Sequence, residues 1–273
     1  MENLNALAYE LRKDTLDIIV SGGSGHIGGD MSMMEVLTEL YFRQMNSSTE
    51  TADDPNRDYF ILSKGHSMEA YYAVLCRKGF LELADVKARF SRFGSPYIGH
   101  PHNTLPGIEM NSGSLGHGLS VAVGMAKGGK MNNAPFHVYT VIGDGELAEG
   151  SVWEGAMAGG HFKLDNLTAF VDRNRLQISG TTEEVMAQDS QEQRWAAFGW
   201  NVISIDGNNM TAVDAAITAA KETKGKPTVI ILNTVKGKGV SFMENGVAWH
   251  HKVMNDEQYT QALKELAERK ANL

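Results

Sequence analysis

The 273-residue sequence predicts an α/β fold in which a parallel sheet carries helices on both faces. Strand-forming runs alternate with segments of helical periodicity through the second half of the chain, which is the order that a parallel sheet requires. The sequence also contains no internal repeat, no low-complexity tract and no Pro/Ser-rich linker. We therefore expect a single domain over residues 1–273.

The first half of the chain predicts mainly helices around one short strand. Leu4, Leu7, Leu11 and Ile19 lie near helical spacing and open the series. In order, we expect a helix over 4–20, a glycine loop over 22–29, a helix from Met33 to Met45, a strand over 60–62, a helix ending near Arg77, and an irregular loop over 94–113. A loop of that length inside a compact domain is often functional.

The second half predicts a helix and then three strand–helix units. In order, we expect a helix over 119–127, strand 136–142 with helix 149–162, strand 167–172 with helix 189–198, strand 200–205 with helix 211–224, strand 228–233 closing the sheet, a glycine-rich loop over 235–255, and a helix over 256–270.

Composition and charge exclude several classes of function. The net charge is −8 and no block of Lys or Arg occurs, which disfavours binding to nucleic acid or to an anionic membrane surface. No apolar stretch approaches the ~18 residues that cross a bilayer. The acidic start lacks an apolar leader segment, and the lone Cys76 provides no disulfide framework. These features predict a soluble cytoplasmic protein.

Polar side chains follow two of the predicted strands at the point where each strand ends. Asp144 comes after strand 136–142, between two glycines, and Asn174 follows strand 167–172. Because ligands of open parallel sheets sit beyond the carboxyl ends of the strands, these side chains should converge. Their oxygens suit a hard cation such as Mg²⁺, and the glycines allow backbone N–H groups to approach an anion. The pattern predicts a metal–diphosphate site.

These motifs resemble the thiamine diphosphate signature of transketolases, and the resemblance runs collinearly from about residue 10 to about residue 255. The segments that carry it are Gly143-Asp144-Gly145 through Gly150, Asn166-Leu167, Asp172-Arg173-Asn174, Ser24-Gly25-His26-Ile27-Gly28-Gly29, Leu62-Ser63-Lys64-Gly65-His66, Gly99-His100-Pro101, and Gly113-Ser114-Leu115-Gly116-His117-Gly118. The three histidine motifs point to transketolases in particular, since related thiamine enzymes share only the metal motif.

The resemblance implies thiamine diphosphate and Mg²⁺ (or another divalent cation such as Ca²⁺) as cofactors. It implies Asp144, Asn174 and the main-chain carbonyl of Leu176 as metal ligands. The remaining cofactor-binding residues that it implies are Gly145 and Glu146, which offer backbone N–H groups to the phosphates, Gly113 and Leu115, which line the aminopyrimidine side through main-chain atoms, His66 near the diphosphate, Gly143, His250, and Glu149 at a subunit contact.

Three histidines are the catalytic candidates. By resemblance, His26 and His250 face the C3 hydroxyl of the donor ketose, and His100 faces its C1 hydroxyl. Histidine suits this chemistry because its ordinary pKa lies near neutrality. The residues expected to have no catalytic role are His102, His117, His137, His161 and His251, although His117 is close to the expected pocket, together with Lys236 and Lys238, which are expected at a solvated loop end.

The chain ends at Leu273 without the pyrimidine-binding domain that follows in full-length transketolases. Met1 and the terminal helix have the appearance of natural ends. We therefore expect the diphosphate-binding subunit of a split enzyme, whose partner chain supplies the pyrimidine-binding domain in a two-fold heterotetramer.

The implied activity is transfer of a two-carbon ketol unit from a ketose to an aldose phosphate. Two departures from the family concern the substrate: Ser91 stands where the family has arginine, with Arg92 beside it, and the family's Trp-His-Gly reads Trp249-His250-His251. A modified sugar with another anionic terminus, such as a sulfonate, is therefore a candidate alongside sugar phosphates.

Two alternatives stay open at this point. One is another thiamine diphosphate enzyme, such as a deoxyxylulose-phosphate synthase or, less favoured by the histidine motifs, a 2-oxoacid decarboxylase. The other is a cofactor-holding subunit without turnover. A nicotinamide dehydrogenase is disfavoured because the sequence has no Gly-x-Gly-x-x-Gly motif opening a helix after the first strand.

Overall fold

The computed structural model of the protein describes residues 3–188 and 190–273. Five parallel strands form the main sheet in the order β1-β2-β3-β7-β6. The bounds of these strands are β1 Tyr59–Leu62, β2 Val138–Gly143, β3 Leu167–Arg173, β6 Asn201–Asp206 and β7 Thr228–Asn233. A separate antiparallel hairpin consists of β4 (Leu176–Gln177) and β5 (Gly180–Thr181).

Eleven α-helices accompany the strands within the described ranges. They are α1 Leu4–Gly22, α2 Ile27–Ser32, α3 Met34–Glu39, α4 Met68–Arg77, α5 Leu83–Arg89, α6 Gly118–Met131, α7 Gly150–His161, α8 Thr182–Val185, α9 Gln191–Ala197, α10 Met210–Glu222 and α11 Asp256–Ala271. Short 3₁₀ turns occupy Gly145–Ala148 and Val247–Trp249. Over residues 3–188 and 190–273, no helix combines the length and the apolarity needed to cross a bilayer.

Alternate residues of each strand enter two different hydrophobic cores. Tyr139 and Val141 of β2 pack in the cluster that includes residues of α1, α3, α4 and α10. Val138 and Ile142 of the same strand pack in the cluster that includes residues of α6, α7 and α9. Successive side chains of a strand point to opposite faces. The sheet is therefore covered by helices on both sides, as the sequence predicted.

Neighbouring strands end level with one another on the functional side of the sheet. Gly143, the last residue of β2, pairs with Asp172 of β3 in the parallel register. The backbone N–H of Asp144 donates to the Asp172 carbonyl at 3.3 Å. The segments that follow β2 and β3 consequently leave the sheet side by side, which is the geometric condition for a shared site.

Several boundaries differ from those predicted. The strand predicted over 136–142 begins at Val138, and the helix predicted from Met33 to Met45 is split into α3 and a π-helical turn at Leu40–Gln44. The helix predicted over 189–198 is observed as α9. The first residue of the predicted range, Asp189, lies outside the described residues, as do Met1 and Glu2. The helix predicted over 119–127 extends over Gly118–Met131.

Four elements were not predicted at all. These are α2, α5, α8 and the β4–β5 hairpin. The glycines of Ile27-Gly28-Gly29 suggested a loop, but they are buried and let the helix approach its neighbours: a Cβ on Gly28 would lie 2.6 Å from the Trp249 carbonyl oxygen. Packing therefore overrides the low helix propensity of glycine at this position.

Candidate functional site

A cleft of about 350 Å³ opens at the carboxyl ends of the central strands. Most of the predicted site residues line it. These are His26, His66, Gly113, Leu115, Gly143, Asp144, Gly145, Glu146, Asn174, Leu176 and His250. The sequence analysis did not assign the other lining residues, which are Gly29, Lys64, Gln177, Ile178 and Lys236.

Asp144 is a buried carboxylate at the floor of the cleft. Its Oδ1 accepts from the backbone N–H of Gly145 at 2.8 Å, and its Oδ2 accepts from that of Arg175 at 2.5 Å. Burial, followed by the charge of Asp172, raises the pKa of Asp144 to about 6. A carboxylate held in so unfavourable an environment is stabilised when a cation approaches.

Asn174 and Leu176 stand beside Asp144 on the segment after β3. The Asn174 side chain accepts from the Leu176 N–H at 3.1 Å and donates to Asp172 at 3.2 Å, which fixes its orientation. One carboxylate, one amide oxygen and one main-chain carbonyl make an all-oxygen donor set. Mg²⁺ prefers such a set and takes its remaining ligands from phosphate and water.

The described residues contain no cluster of three or more His, Cys, Asp or Glu side chains able to hold a metal alone. That finding fits the donor set, because only one of its three groups is a carboxylate. The residues therefore fit a cation that arrives with a phosphate ligand, and they do not form an all-protein metal cage.

Lys236 is a buried cation of this cleft, contrary to the prediction of a solvated loop end. It is 2% exposed. Its Nζ donates to the Leu176 carbonyl at 2.9 Å and to Nδ1 of His250 at 2.8 Å. Burial and the charge of Lys64 lower the pKa of Lys236 to about 8. The Leu176 carbonyl has two lone pairs, so it can serve both the lysine and a metal ion.

Asp172 joins four segments beneath the cleft. It is completely buried and pairs with Lys64 Nζ at 2.5 Å. It also accepts from Ser32 Oγ at 2.6 Å and from the hydroxyl of Thr234. The Lys64 charge and these hydrogen bonds hold the pKa of Asp172 below its ordinary value despite burial. The residue is an internal anchor that aligns Asn174, and a cofactor would not reach it.

The Glu146 side chain also serves the architecture of the site. Its carboxylate accepts from Ser63 Oγ at 2.5 Å, from the Gly116 N–H at 2.8 Å and from the Gly143 N–H at 3.0 Å. It thus ties together three loops that border the cleft. Only its backbone had been assigned a role from the sequence.

Four histidine rings surround His26. The ring centroids of His66, His100, His250 and His251 lie 5.3, 6.0, 5.8 and 4.5 Å from that of His26, respectively. His251, which had been expected to have no role, is the nearest of them. It is exposed, whereas His26 is half-buried. The carboxyl edge of the sheet therefore carries a histidine cluster above the metal–diphosphate candidates.

Four rings of this cluster, those of His26, His66, His100 and His250, are electrically neutral at neutral pH. Burial lowers the pKa of His26 to about 4 and that of His250 to about 3, with neighbouring cations adding to the effect. Burial lowers the pKa of His66 and His100 as well. Because the Lys236 ammonium can only donate, Nδ1 of His250 accepts and its ring proton sits on Nε2.

The ring of His100 packs against the backbone of Gly113, although His100 does not itself line the cleft. Gly113 has φ +142°, and a Cβ there would lie 2.9 Å from Cδ2 of His100. Only glycine combines that backbone conformation with so close a ring. The main chain near Gly113 and Leu115 can therefore face the cleft directly.

Glu149 is the one predicted cofactor residue that the structure leaves away from the cleft. It is the N-cap residue of α7, it is exposed, and its side chain packs against Gly116. A subunit contact for Glu149 stays a prediction. His117 also lies outside the cleft, where its ring contacts main-chain oxygens of Ser114 and Leu115.

The first substrate departure, at Ser91 and Arg92, falls on the 91–99 loop. Ser91 has φ +58° and its N–H donates to the Tyr97 carbonyl, so the residue shapes a turn. Arg92 is exposed, and its Nη2 donates to the Ser21 carbonyl at the end of α1 at 3.0 Å. Neither residue lines the cleft of this chain.

Residues 4–270 match the family model described as the transketolase thiamine diphosphate-binding domain. The chain is 48% identical over 269 residues to one of the subunits of apulose-4-phosphate transketolase from Phocaeicola vulgatus, covering 98% of this chain and 95% of that protein. It is 44% identical to the 6-deoxy-6-sulfo-D-fructose transketolase subunit SqwG of Clostridium sp. strain MSTE9, covering 97% of this chain and 96% of the relative.

Among solved structures, the transketolase of Campylobacter jejuni superposes with a TM-score of 0.92 at 28% identity. That superposition covers 98% of this chain but only 43% of the Campylobacter chain. The chain thus spans nearly the whole of the two relatives named as subunits and less than half of the Campylobacter enzyme.

Proposed function

Because this chain belongs to the transketolase family, we propose that it is the diphosphate-binding subunit of a two-chain transketolase. The enzyme would transfer a two-carbon ketol unit from a ketose to an aldose phosphate. The observation that carries the proposal is the single cleft in which Asp144, Asn174 and the Leu176 carbonyl lie together with His26 and His250. The oxygen donors and these histidines therefore lie together at one edge of the sheet.

Thiamine diphosphate would supply a nucleophilic carbon able to stabilise the transferred fragment. Asp144, Asn174 and the Leu176 carbonyl would hold a divalent cation on its diphosphate, with Mg²⁺ favoured by the all-oxygen donors. Lys236 adds a positive charge next to this cation position, because its ammonium group donates a hydrogen bond to the Leu176 carbonyl. The Gly145 and Glu146 backbone borders the same part of the cleft.

The histidines would handle the protons of the sugar hydroxyls. His26 is held neutral by burial, so it can accept a proton from a hydroxyl that loses it as a carbon–carbon bond breaks. His250 presents Nε2–H as a donor because Lys236 occupies its Nδ1. A donor and an acceptor with ring centroids 5.8 Å apart can hold one hydroxyl between them.

A partner chain is part of the proposal. Two relatives that this chain spans almost fully are named as subunits, and the Campylobacter enzyme of similar fold is more than twice as long. We infer that a second chain contributes the pyrimidine-binding domain and that two copies of each chain form a heterotetramer. A cytoplasmic location accords with the single, partly buried cysteine, Cys76.

The substrate would be a ketose with an anionic terminus. The relatives are named for apulose-4-phosphate and for 6-deoxy-6-sulfo-D-fructose, that is, for a phosphate and a sulfonate. In this chain, Arg92 is engaged by the end of α1 and His251 stands beside His26. Of the two departures, His251 is the one that lies beside a proposed catalytic ring, and we propose that it contributes to the choice between sugars.

The test is reconstitution of the chain with a partner that carries the pyrimidine-binding domain, in the presence of thiamine diphosphate and Mg²⁺. Ketol transfer should be measured from xylulose 5-phosphate and from a 6-sulfo-ketose in parallel. We expect turnover from at least one ketose with both chains and negligible turnover with either chain alone. Robust activity of this chain alone would contradict the two-chain proposal, and cofactor binding without turnover on any ketose would contradict the transferase activity.

A further inference from the structure

Two carboxyl groups are buried against each other directly behind the histidine cluster. Asp30, on α2, and Glu69, in the first turn of α4, are both completely inaccessible to solvent. The two side chains are neighbours, because Asp30 accepts from the backbone of the residue that follows Glu69, and each carboxyl group acts on the pKa of the other. The backbone N–H of Ala70 donates to Asp30 Oδ1 at 2.9 Å. Among the described residues, no N–H or hydroxyl group donates a hydrogen bond to Asp30 Oδ2 or to either carboxylate oxygen of Glu69. We call Asp30 and Glu69 the carboxyl pair.

The carboxyl pair connects the turns that carry three of the histidines. Asp30 lies four residues after His26, and Glu69 lies three residues after His66. A Cβ on Gly25, the residue before His26, would stand 3.1 Å from Glu69 Oε1. A Cβ on Gly99, the residue before His100, would stand 3.8 Å from the same oxygen. Three backbone segments that carry rings of the histidine cluster therefore converge on one buried group.

Two carboxylates cannot lie together in a dry interior while both are ionised. A hydrogen bond between them requires a proton on one oxygen, because an ionised carboxylate only accepts. Burial raises the pKa of both groups, and their mutual charge adds to the effect on Glu69. One proton is accordingly retained by the pair at neutral pH, as in other paired carboxyl groups.

We propose that Asp30 and Glu69 are positioning residues for the proposed transketolase reaction: sharing one proton, they tie the turns of His26, His66 and His100 into a single arrangement. The pair would not touch substrate, since it is buried behind the rings. Loss of the shared proton would leave two adjacent negative charges and push α2 and α4 apart. The inference rests on the proposed function only for its activity measurements.

Among the groups next to the carboxyl pair, we expect the pair itself to be the one that loses a proton in the alkaline range. The charged neighbour is Lys64, which is ion-paired with Asp172. From α4, Tyr72 also faces Glu69, and burial raises the pKa of Tyr72 so that it stays neutral. The remaining neighbour, His26, is neutral because burial lowers its pKa to about 4.

The central variant is Glu69→Gln. A glutamine amide can donate to the Asp30 carboxylate, and so replaces the shared proton with a hydrogen that does not dissociate. Glu69→Ala removes the link altogether. The matched control is Glu39→Gln, because Glu39 is another buried acid, with a pKa raised to about 7 by burial, and lies on α3 away from the histidines.

Infrared spectroscopy at neutral pH tests the shared proton without any activity. The wild-type chain should show protonated-carboxyl C=O absorption; Glu69→Gln should remove the component that belongs to the carboxyl pair, whereas Glu39→Gln should remove only the separate contribution of Glu39, whose pKa is about 7. NMR of the His26 and His66 imidazoles tests positioning: their resonances should move in Glu69→Ala and stay close to wild type in Glu69→Gln. Absence of the pair's component, or unchanged resonances in Glu69→Ala, would overturn the inference even if the protein had a different function.

The pH profile of kcat then tests the consequence in the assembled enzyme. Activity should fall on the alkaline side in wild type and in Glu39→Gln, and this fall should be smaller in Glu69→Gln, where only groups outside the pair still titrate, such as Lys236 with its pKa of about 8. Glu69→Ala should lower kcat by roughly 10–100-fold, the scale expected for misplaced catalytic groups, with unchanged affinity for Mg²⁺-pyrophosphate. An alkaline fall in Glu69→Gln equal to that of wild type would refute the role of the pair. Complete inactivity of wild type on all ketoses would instead refute the proposed function.

Discussion

Asp144→Asn is the most informative single substitution, because it changes a charge at the metal position and little of the shape. In the structure, both carboxylate oxygens of Asp144 accept backbone N–H groups, from Gly145 and Arg175. An asparagine has one acceptor oxygen, so its NH₂ group would face one of these N–H donors. An unsatisfied buried donor costs about 1–3 kcal/mol.

The same substitution also relieves an existing cost. Burial raises the pKa of Asp144 to about 6, which corresponds to roughly 3 kcal/mol against the ionised form relative to an exposed aspartate. The two effects oppose each other and are of similar size. We therefore expect the thermal stability of the ligand-free variant to lie close to that of wild type.

Binding of the ligand should change far more than stability. With ligand at about 100 times its Kd, wild type gains about 2.7 kcal/mol, or roughly 5–10 °C in Tm for a domain of this size. Mg²⁺ with pyrophosphate is a suitable probe for the isolated chain, and Mg²⁺ with thiamine diphosphate for the assembled enzyme. Asp144→Asn should abolish this increase in Tm, because the only carboxylate of the donor set is lost.

Asp206→Asn is the matched control. Asp206 also ends a strand of the sheet, β6, and also accepts a backbone N–H, from Asn208 at 2.9 Å, but it does not line the cleft. It should retain the full ligand-induced increase in Tm. If Asp144→Asn retained it too, the metal–diphosphate assignment of this cleft would be wrong.

Three other substitutions test the remaining parts of the cleft. Lys236→Met should raise the pKa of His250 in an NMR titration, because the ammonium charge contributes to lowering it; Lys238→Met, at a half-exposed position of the same loop, should not, and equal effects would assign no special role to Lys236. His26→Ala should lower kcat of the assembled enzyme by roughly 10²–10⁴-fold as expected for an acid–base group, and a near-normal rate would reduce the ring to a packing role. His251→Gly should change the ratio of kcat/KM values between a phosphorylated and a sulfonated ketose while leaving Mg²⁺-pyrophosphate affinity intact; an unchanged ratio would remove His251 from substrate selection.

Lys236 shows what a local motif cannot reveal. The sequence Lys236-Gly237-Lys238-Gly239 has two lysines with the same kind of neighbours, and both suggested a solvated loop. In the fold, the loop after β7 returns over the carboxyl edge of the sheet, so that Gly237 N–H donates to the Gly28 carbonyl. That contact buries Lys236 and leaves Lys238 half-exposed. Burial of this kind depends on a segment more than 200 residues away in sequence.

Strand order is a second property that periodicity does not contain. The last strand in sequence, β7, lies between β3 and β6 and not at an edge. Alternating strands and helices indicate a parallel sheet, but each crossover can place the next strand on either side of those already present. The insertion of β7 beside β3 brings Thr234 and Lys236 to the site, which is why the Lys236 position could not be inferred from its own neighbours.

The sequence alone predicted the α/β class, most of the strands and the position of the site. The position of the site could be predicted because a polar residue directly after a buried strand has to emerge at the carboxyl edge of a parallel sheet. Asp144, Asn174 and the histidine motifs followed from that rule and from the family resemblance. Which groups are buried next to them became apparent only in the folded chain. The Lys236 contact with Leu176, the His251 ring beside His26, and the Asp30–Glu69 pair each join segments that are distant or inconspicuous in sequence, and desolvation acts on such neighbours only once the chain has packed.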